Sequence, residues 1–117
     1  MKRILIVDDN KEDLKMMQDA LSKQDYLIDT VSTAREAADA LLDKQYDLFL
    51  LDIKLEKTDG NYIAKRIRTN FGFEPKIIYV SLKPKTKLTS QELAHANGFI
   101  QKPFSKEEFL EEMKKFN

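Results

Sequence analysis

The feature that most constrains this chain is an alternation of short apolar runs with helical stretches, repeated five times in 117 residues. Ile4-Leu5-Ile6-Val7 and Leu48-Phe49-Leu50-Leu51 are continuous runs rich in branched or aromatic side chains, as in strands buried on both faces. Leu27-Ile28-Asp29-Thr30-Val31, Lys76-Ile77-Ile78-Tyr79-Val80 (after Pro75) and Phe99-Ile100 read as three further strands. The stretches between them carry helical spacing. Leu14, Met17 and Leu21 mark Lys11 to about Lys23, behind Asn10 as N-cap. Ala34, Ala37, Ala38, Leu41 and Leu42 give the inward face from Thr33 to about Lys44. Tyr62, Ile63 and Ile67 mark a third helix ending near Asn70 to Gly72, and Thr89 to Asn97 a short polar fourth. Ser105-Lys106-Glu107-Glu108 fits a capping box before the stripe Phe109, Leu110, Met113 and Phe116. Strand–helix alternation of this kind predicts an α/β fold with a parallel sheet and helices on both faces. Right-handed crossovers close it as a five-stranded doubly wound sheet.

Length and composition narrow the function classes. One domain is expected, residues 1–117, with no output domain following the last helix. Lys plus Arg is 20 and Asp plus Glu is 20, so no basic excess argues for direct nucleic-acid binding. With no cysteine and His95 as the one histidine, thiolate chemistry is excluded and a zinc site or a serine-hydrolase triad is disfavoured. No apolar run approaches the length of a membrane span, and Ile4–Val7 is too short for a signal-peptide core. The expected chain is soluble and cytoplasmic, without membrane insertion.

In open parallel sheets, ligands bind outside the carboxyl ends of the strands. The predicted strands end in Asp8-Asp9, in Asp52 and in Ser81, and the fifth is followed by Lys102-Pro103. Clustered carboxylates repel one another unless a positive charge sits among them. A hard divalent cation such as Mg²⁺ suits oxygen donors of this kind. A carboxylate beside Mg²⁺, a lysine and a hydroxyl makes a phosphoryl acceptor, since cations neutralise the equatorial oxygens while the carboxylate attacks in line.

Together, Ile4-Leu5-Ile6-Val7-Asp8-Asp9-Asn10, Leu50-Leu51-Asp52-Ile53, Asp59-Gly60, Val80-Ser81 and Phe99-Ile100-Gln101-Lys102-Pro103-Phe104 resemble a bacterial response-regulator receiver domain across essentially the whole chain. The resemblance implies a flavodoxin-like sheet of strand order 2-1-3-4-5. It makes Asp52 the aspartate phosphorylated by a histidine kinase or histidine phosphotransfer protein. Asp8 and Asp9 become the Mg²⁺-holding pair, with Asp52 and the backbone carbonyl of Lys54 as further ligands. Ser81 stands at the switch hydroxyl, Phe99 at the switch aromatic, Lys102 at the family's lysine, and Pro103 at its partner in a cis peptide. The resemblance implies a phosphoacceptor regulator rather than an enzyme acting on external substrates, with autocatalytic phosphotransfer and self-dephosphorylation. A downstream protein effector and a monomer or weak homodimer are implied with it.

The chain departs from the family pattern in places. Leu82 follows the switch hydroxyl where a small residue is usual, a bulk expected to narrow access to Asp52. Glu56 replaces a common proline, and Lys54 and Lys83 occupy positions that tune dephosphorylation in the family. These departures keep open a degenerate receiver that binds partners whatever its phosphorylation state. A phosphohydrolase with an aspartyl nucleophile is disfavoured because Lys54 stands where such enzymes commonly place a second acid. A flavin domain of similar topology is disfavoured because Asp8-Asp9 would repel a phosphate.

Overall fold

A computed structural model describes residues 1–54 and 60–116. Among these, β1 (Lys2–Val7), α1 (Lys11–Ser22), β2 (Tyr26–Val31), α2 (Ala34–Asp43), β3 (Leu48–Leu51) and α3 (Gly60–Phe71) form the first half of the fold. β4 (Lys76–Ser81), a 3₁₀ turn (Lys85–Lys87), α4 (Ser90–His95), β5 (Gly98–Gln101), α5 (Lys106–Met113) and a closing 3₁₀ turn (Lys114–Phe116) follow. The strands form one parallel sheet of order β2-β1-β3-β4-β5, as the family resemblance implied. Order reverses at β1, so the chain winds one way from β1 to β2 and the other way from β3 to β5. No helix of the described residues is long and apolar enough to cross a membrane.

The continuous apolar runs hide which residue faces which way, and the sheet separates them. Leu5, Val7, Phe49, Leu51, Ile77 and Tyr79 pack with Ala37, Leu41, Ile63 and Ile67 of α2 and α3. Ile4, Ile6, Leu48, Leu50, Ile78 and Val80 pack with Met17, Leu21, Phe109 and Met113 of α1 and α5. Successive side chains of a strand point to opposite faces, so central strands must be apolar at every position to feed two cores. Each fully buried large side chain contributes about 1.5–3 kcal/mol.

The helix starts follow the sequence. The side chains of Asn10, Thr33 and Ser105 accept from the backbone N–H groups of Asp13, Glu36 and Glu108, and Ser105 with Glu108 forms the expected capping box. α4 has a second capping box, Thr89 with Glu92, and is shorter than the Thr89–Asn97 reading. Polar ties hold it where apolar anchors are few. Tyr79 Oη donates to the Glu92 carbonyl at 2.7 Å, and Lys83 Nζ lies 3.8 Å from Glu92 Oε1.

One packing expectation fails. Leu42 was expected to face inward but is 80% exposed. Leu41 takes the core position, and one residue of helix turns the next side chain about 100° away. Tyr62 is half exposed, while Ile63 and Ile67 are fully buried. Arg68, which no periodicity or motif marks, lies buried at the end of α3. Its guanidinium donates to the carbonyls of His95 (2.9 Å), Gly72 (3.0 Å) and Pro75 (2.6 Å) and to Asn97 Oδ1 (2.8 Å). It also lies 4.5 Å from the Phe73 ring centroid.

Candidate phosphoacceptor and metal site

Sheet register builds the site. Val7 pairs with Leu51, so Asp8 and Asp52 leave the sheet side by side. The Asp52 N–H donates to the Val7 carbonyl at 2.9 Å. At the far edge Ser81 pairs with Gln101, and the Lys102 N–H donates to the Ser81 carbonyl at 2.8 Å. The Lys102–Pro103 peptide is cis, as the resemblance implied.

Both buried carboxylates are anchored the same way. Asp8 Oδ1 accepts from the Asn10 N–H at 2.9 Å and Asp52 Oδ1 from the Lys54 N–H at 3.0 Å. Such side chain-to-backbone turns fix the rotamer and leave the second oxygen aimed at a partner. That partner is Lys102, whose Nζ lies 2.7 Å from Asp8 Oδ2 and 3.4 Å from Asp52 Oδ2. Asp8 is fully buried, and Asp52 and Lys102 nearly so.

A third carboxylate, missed in the sequence, completes the set. Asp13 Oδ2 stands 2.8 Å from Lys102 Nζ. It sits three residues after the Asn10 cap, in the first turn of α1, where acids are favoured anyway by the helix dipole. The signal that could have found it is that this turn directly follows Asp8-Asp9.

Burial pushes the Asp8 carboxyl up to about 6, against the pull of Lys102 and the Asn10 N–H. Burial alone would lower the Lys102 ammonium. Hydrogen bonds to Asp13 and Asp8 and the charges of Asp8 and Asp52 outweigh it and raise that ammonium above its usual range. The two directions are consistent: one buried lysine, shared among three acids, is held charged while the most buried acid remains underneutralised.

Asp8, Asp9 and Asp52 each offer a carboxylate oxygen, all within 4.8 Å of one another. Two oxygens on one octahedral Mg²⁺ lie at most about 4.2 Å apart, so small adjustments bring this donor set to such an ion. Hard oxygen donors and excess negative charge fit Mg²⁺ and not a soft metal.

The remaining predicted residues surround this centre. Ser81 is buried, and its Oγ accepts from the Lys83 N–H at 3.1 Å. The Lys83 side chain runs towards Glu92 of α4, with Nζ 3.8 Å from Oε1. Phe99 pairs with Tyr79 in register and is half-buried against the α2–α3 core. The Leu82 side chain is 69% exposed. Glu56 and Asp59 lie outside the described residues. Gly60, which opens α3, donates its N–H to the Ile53 carbonyl at 2.6 Å. A Cβ there would collide with the backbone of Asp52 and Ile53, so a glycine lets α3 start directly beneath the aspartate.

Known proteins share this fold. The family model described as the response regulator receiver domain matches residues 4–114. The transcriptional regulatory protein DltR of Streptococcus agalactiae is 34% identical over 110 residues, covering 92% of this chain and 48% of that protein. The chain thus spans about half the length of the curated relatives it matches. Among solved structures, the response regulator TrrA of Thermotoga maritima in complex with Mg²⁺ and BeF superposes with a TM-score of 0.86 at 30% identity, covering all of both chains. The complex of the histidine kinase ThkA with TrrA also matches, at a TM-score of 0.83 and 30% identity over 98% of this chain and 97% of that one.

Proposed function

The chain belongs to the response regulator receiver domain family, and on that premise we propose that Asp52 accepts a phosphoryl group from a histidine kinase or histidine phosphotransfer protein. The observation that carries the proposal is the Lys102 ammonium, placed between Asp52 and Asp8 in a buried site of excess negative charge. The complex of the related TrrA with its kinase supports the choice of donor.

A carboxylate oxygen of Asp52 forms a bond to phosphorus while the bond from phosphorus to the donor's imidazole nitrogen breaks. That nitrogen takes the electron pair. Lys102 neutralises charge on the transferring group, a role suited to a compact ammonium. Ser81 donates its hydroxyl to a phosphoryl oxygen. Asp8, Asp9 and Asp52, with the Lys54 carbonyl, would hold Mg²⁺, and the bound ion would supply charge to offset the phosphoryl oxygens. The Mg²⁺ complex of TrrA supports that choice of ion.

The aspartyl phosphate then biases a two-state surface around Ser81, Phe99 and α4, which a downstream protein reads. α4 suits such an element, being six residues long and held largely by polar ties. The chain acts in the cytoplasm, as a monomer or weak homodimer, with the phosphoryl group turning over on itself and on no external substrate.

The test is intact-protein mass after incubation with acetyl phosphate and Mg²⁺. One added phosphoryl group, absent in Asp52→Ala and in Mg²⁺-free samples, is the expected result. No addition, followed by failure to bind beryllofluoride with Mg²⁺, would overturn the proposal and favour a phosphorylation-independent protein-binding module.

A further inference from the structure

An ammonium has three N–H donors. Those of Lys102 face three carboxylates, with short contacts to Asp8 and Asp13 and the longest to Asp52, the residue it is proposed to serve. The long Asp52 contact passes to the phosphoryl group with the carboxylate it served, and a closer approach needs Lys102 to move off Asp8 or Asp13. Those two acids differ in what release would cost. The Asp8 side chain is 0% exposed, and a buried carboxylate that loses its cation is left without solvent to replace it. The Asp13 side chain is 31% exposed, so water can take over from Lys102 there. Asp13 also sits on α1, whose first turn is fixed by the Asn10 cap independently of the lysine.

We propose that Asp13 is a releasable counter-ion that holds Lys102 in the unphosphorylated chain and surrenders it to the phosphoryl group, so that this contact sets how tightly the site holds its ligand. The inference rests on the phosphoacceptor reading of Asp52. It makes Asp13 a positioning residue acting through Lys102, with no contact of its own to the transferred group. Its effect is opposite in sign to that of the acids that hold the metal: removing it strengthens capture of the phosphoryl group.

The test is the dissociation constant of beryllofluoride at saturating Mg²⁺, measured calorimetrically on the whole chain as wild type, Asp13→Asn, Asp13→Ala and Glu12→Gln. Glu12 lies next to Asp13 in the exposed first turn of α1 and carries the same charge. Both Asp13 variants are expected to bind roughly fivefold more tightly, the scale of one part-exposed ion pair. Glu12→Gln is expected to stay within about twofold of wild type. Structural damage weakens binding, so a gain of affinity cannot come from it. Unchanged or weaker binding by both Asp13 variants would overturn the inference while leaving the phosphoacceptor reading intact. An equal gain in Glu12→Gln would also overturn it, by showing a general charge effect. Wild-type protein that binds no beryllofluoride would overturn the phosphoacceptor reading and this inference with it.

Discussion

Lys102 Nζ lies 2.7 Å from Asp8 Oδ2, across 94 residues of sequence, and both groups are buried. This pair joins the loop after β5 to the end of β1 over the carboxyl edge of the sheet. Removing the lysine strands two buried carboxylates. Lys102→Met is expected to destabilise the metal-free chain by about 3 kcal/mol at neutral pH. The loss should shrink at pH 5, where Asp8 holds a proton, and should shrink on adding Mg²⁺ at pH 7.5. Urea unfolding at the two pH values, with and without Mg²⁺, checks all three.

The raised Asp8 pKa predicts how metal binding and stability depend on pH. Protons compete with a cation for this carboxylate, so Mg²⁺ affinity should be flat above about pH 6 and fall below it, approaching tenfold per unit. The folded chain holds the Asp8 proton more tightly than the unfolded chain between 3.8 and about 6. In that window the native state binds more protons, so metal-free stability falls as pH rises through it, by about 3 kcal/mol in all. Calorimetric titration of Mg²⁺ and urea midpoints from pH 4.5 to 7.5 test the two slopes. A stability that climbs across this range without metal would contradict the burial of an underneutralised Asp8.

Gly60→Ala should act on the site through backbone alone. The added methyl meets the Asp52 carbonyl and Ile53 Cα, backbone just past the end of β3 whose Asp52 N–H is tied to the Val7 carbonyl. Alanine is the better helix former, yet the clash should win, costing about 1–3 kcal/mol and shifting Asp52. Amide resonances of Asp52 and Lys54 should move, and Mg²⁺ affinity should drop. A variant more stable than wild type would show that α3 can slide away from β3.

Arg68→Lys keeps the charge but not the planar fork. It cannot serve the carbonyls of His95, Gly72 and Pro75 and the Asn97 amide together. A loss of about 2–4 kcal/mol in urea unfolding is expected from the stranded buried acceptors. Asn97 Oδ1 also accepts from the Ile77 N–H at 2.8 Å, so exchange protection at Ile77 should fall too.

The chain order of elements was legible because each carries a local signal. All-apolar runs between polar ends need a sheet covered on both sides, and Asn10, Thr33 and Ser105 announce helix starts through side chain-to-backbone bonds of short range. The inward face of α2 was blurred at Leu42, where two adjacent leucines compete for one core position and helix phase decides. α4 was blurred because hydrogen bonds and a capping box hold it more than apolar periodicity does.

Asp8, Asp52, Ser81 and Lys102 were legible because the carboxyl ends of parallel strands converge by topology, whatever the side-chain detail. Local pattern was therefore enough for the alternation, the sheet type and the polar residues on its functional edge. Only the tertiary structure decided that Lys102 divides its three donors among Asp8, Asp13 and Asp52. Only it decided that Arg68 gathers four acceptors, from the loop after α3 and from the junction of α4 and β5. Strand and helix periods are set by neighbours a few residues apart, whereas a long cation's partners are set by which carboxylates and carbonyls burial brings within about 3 Å.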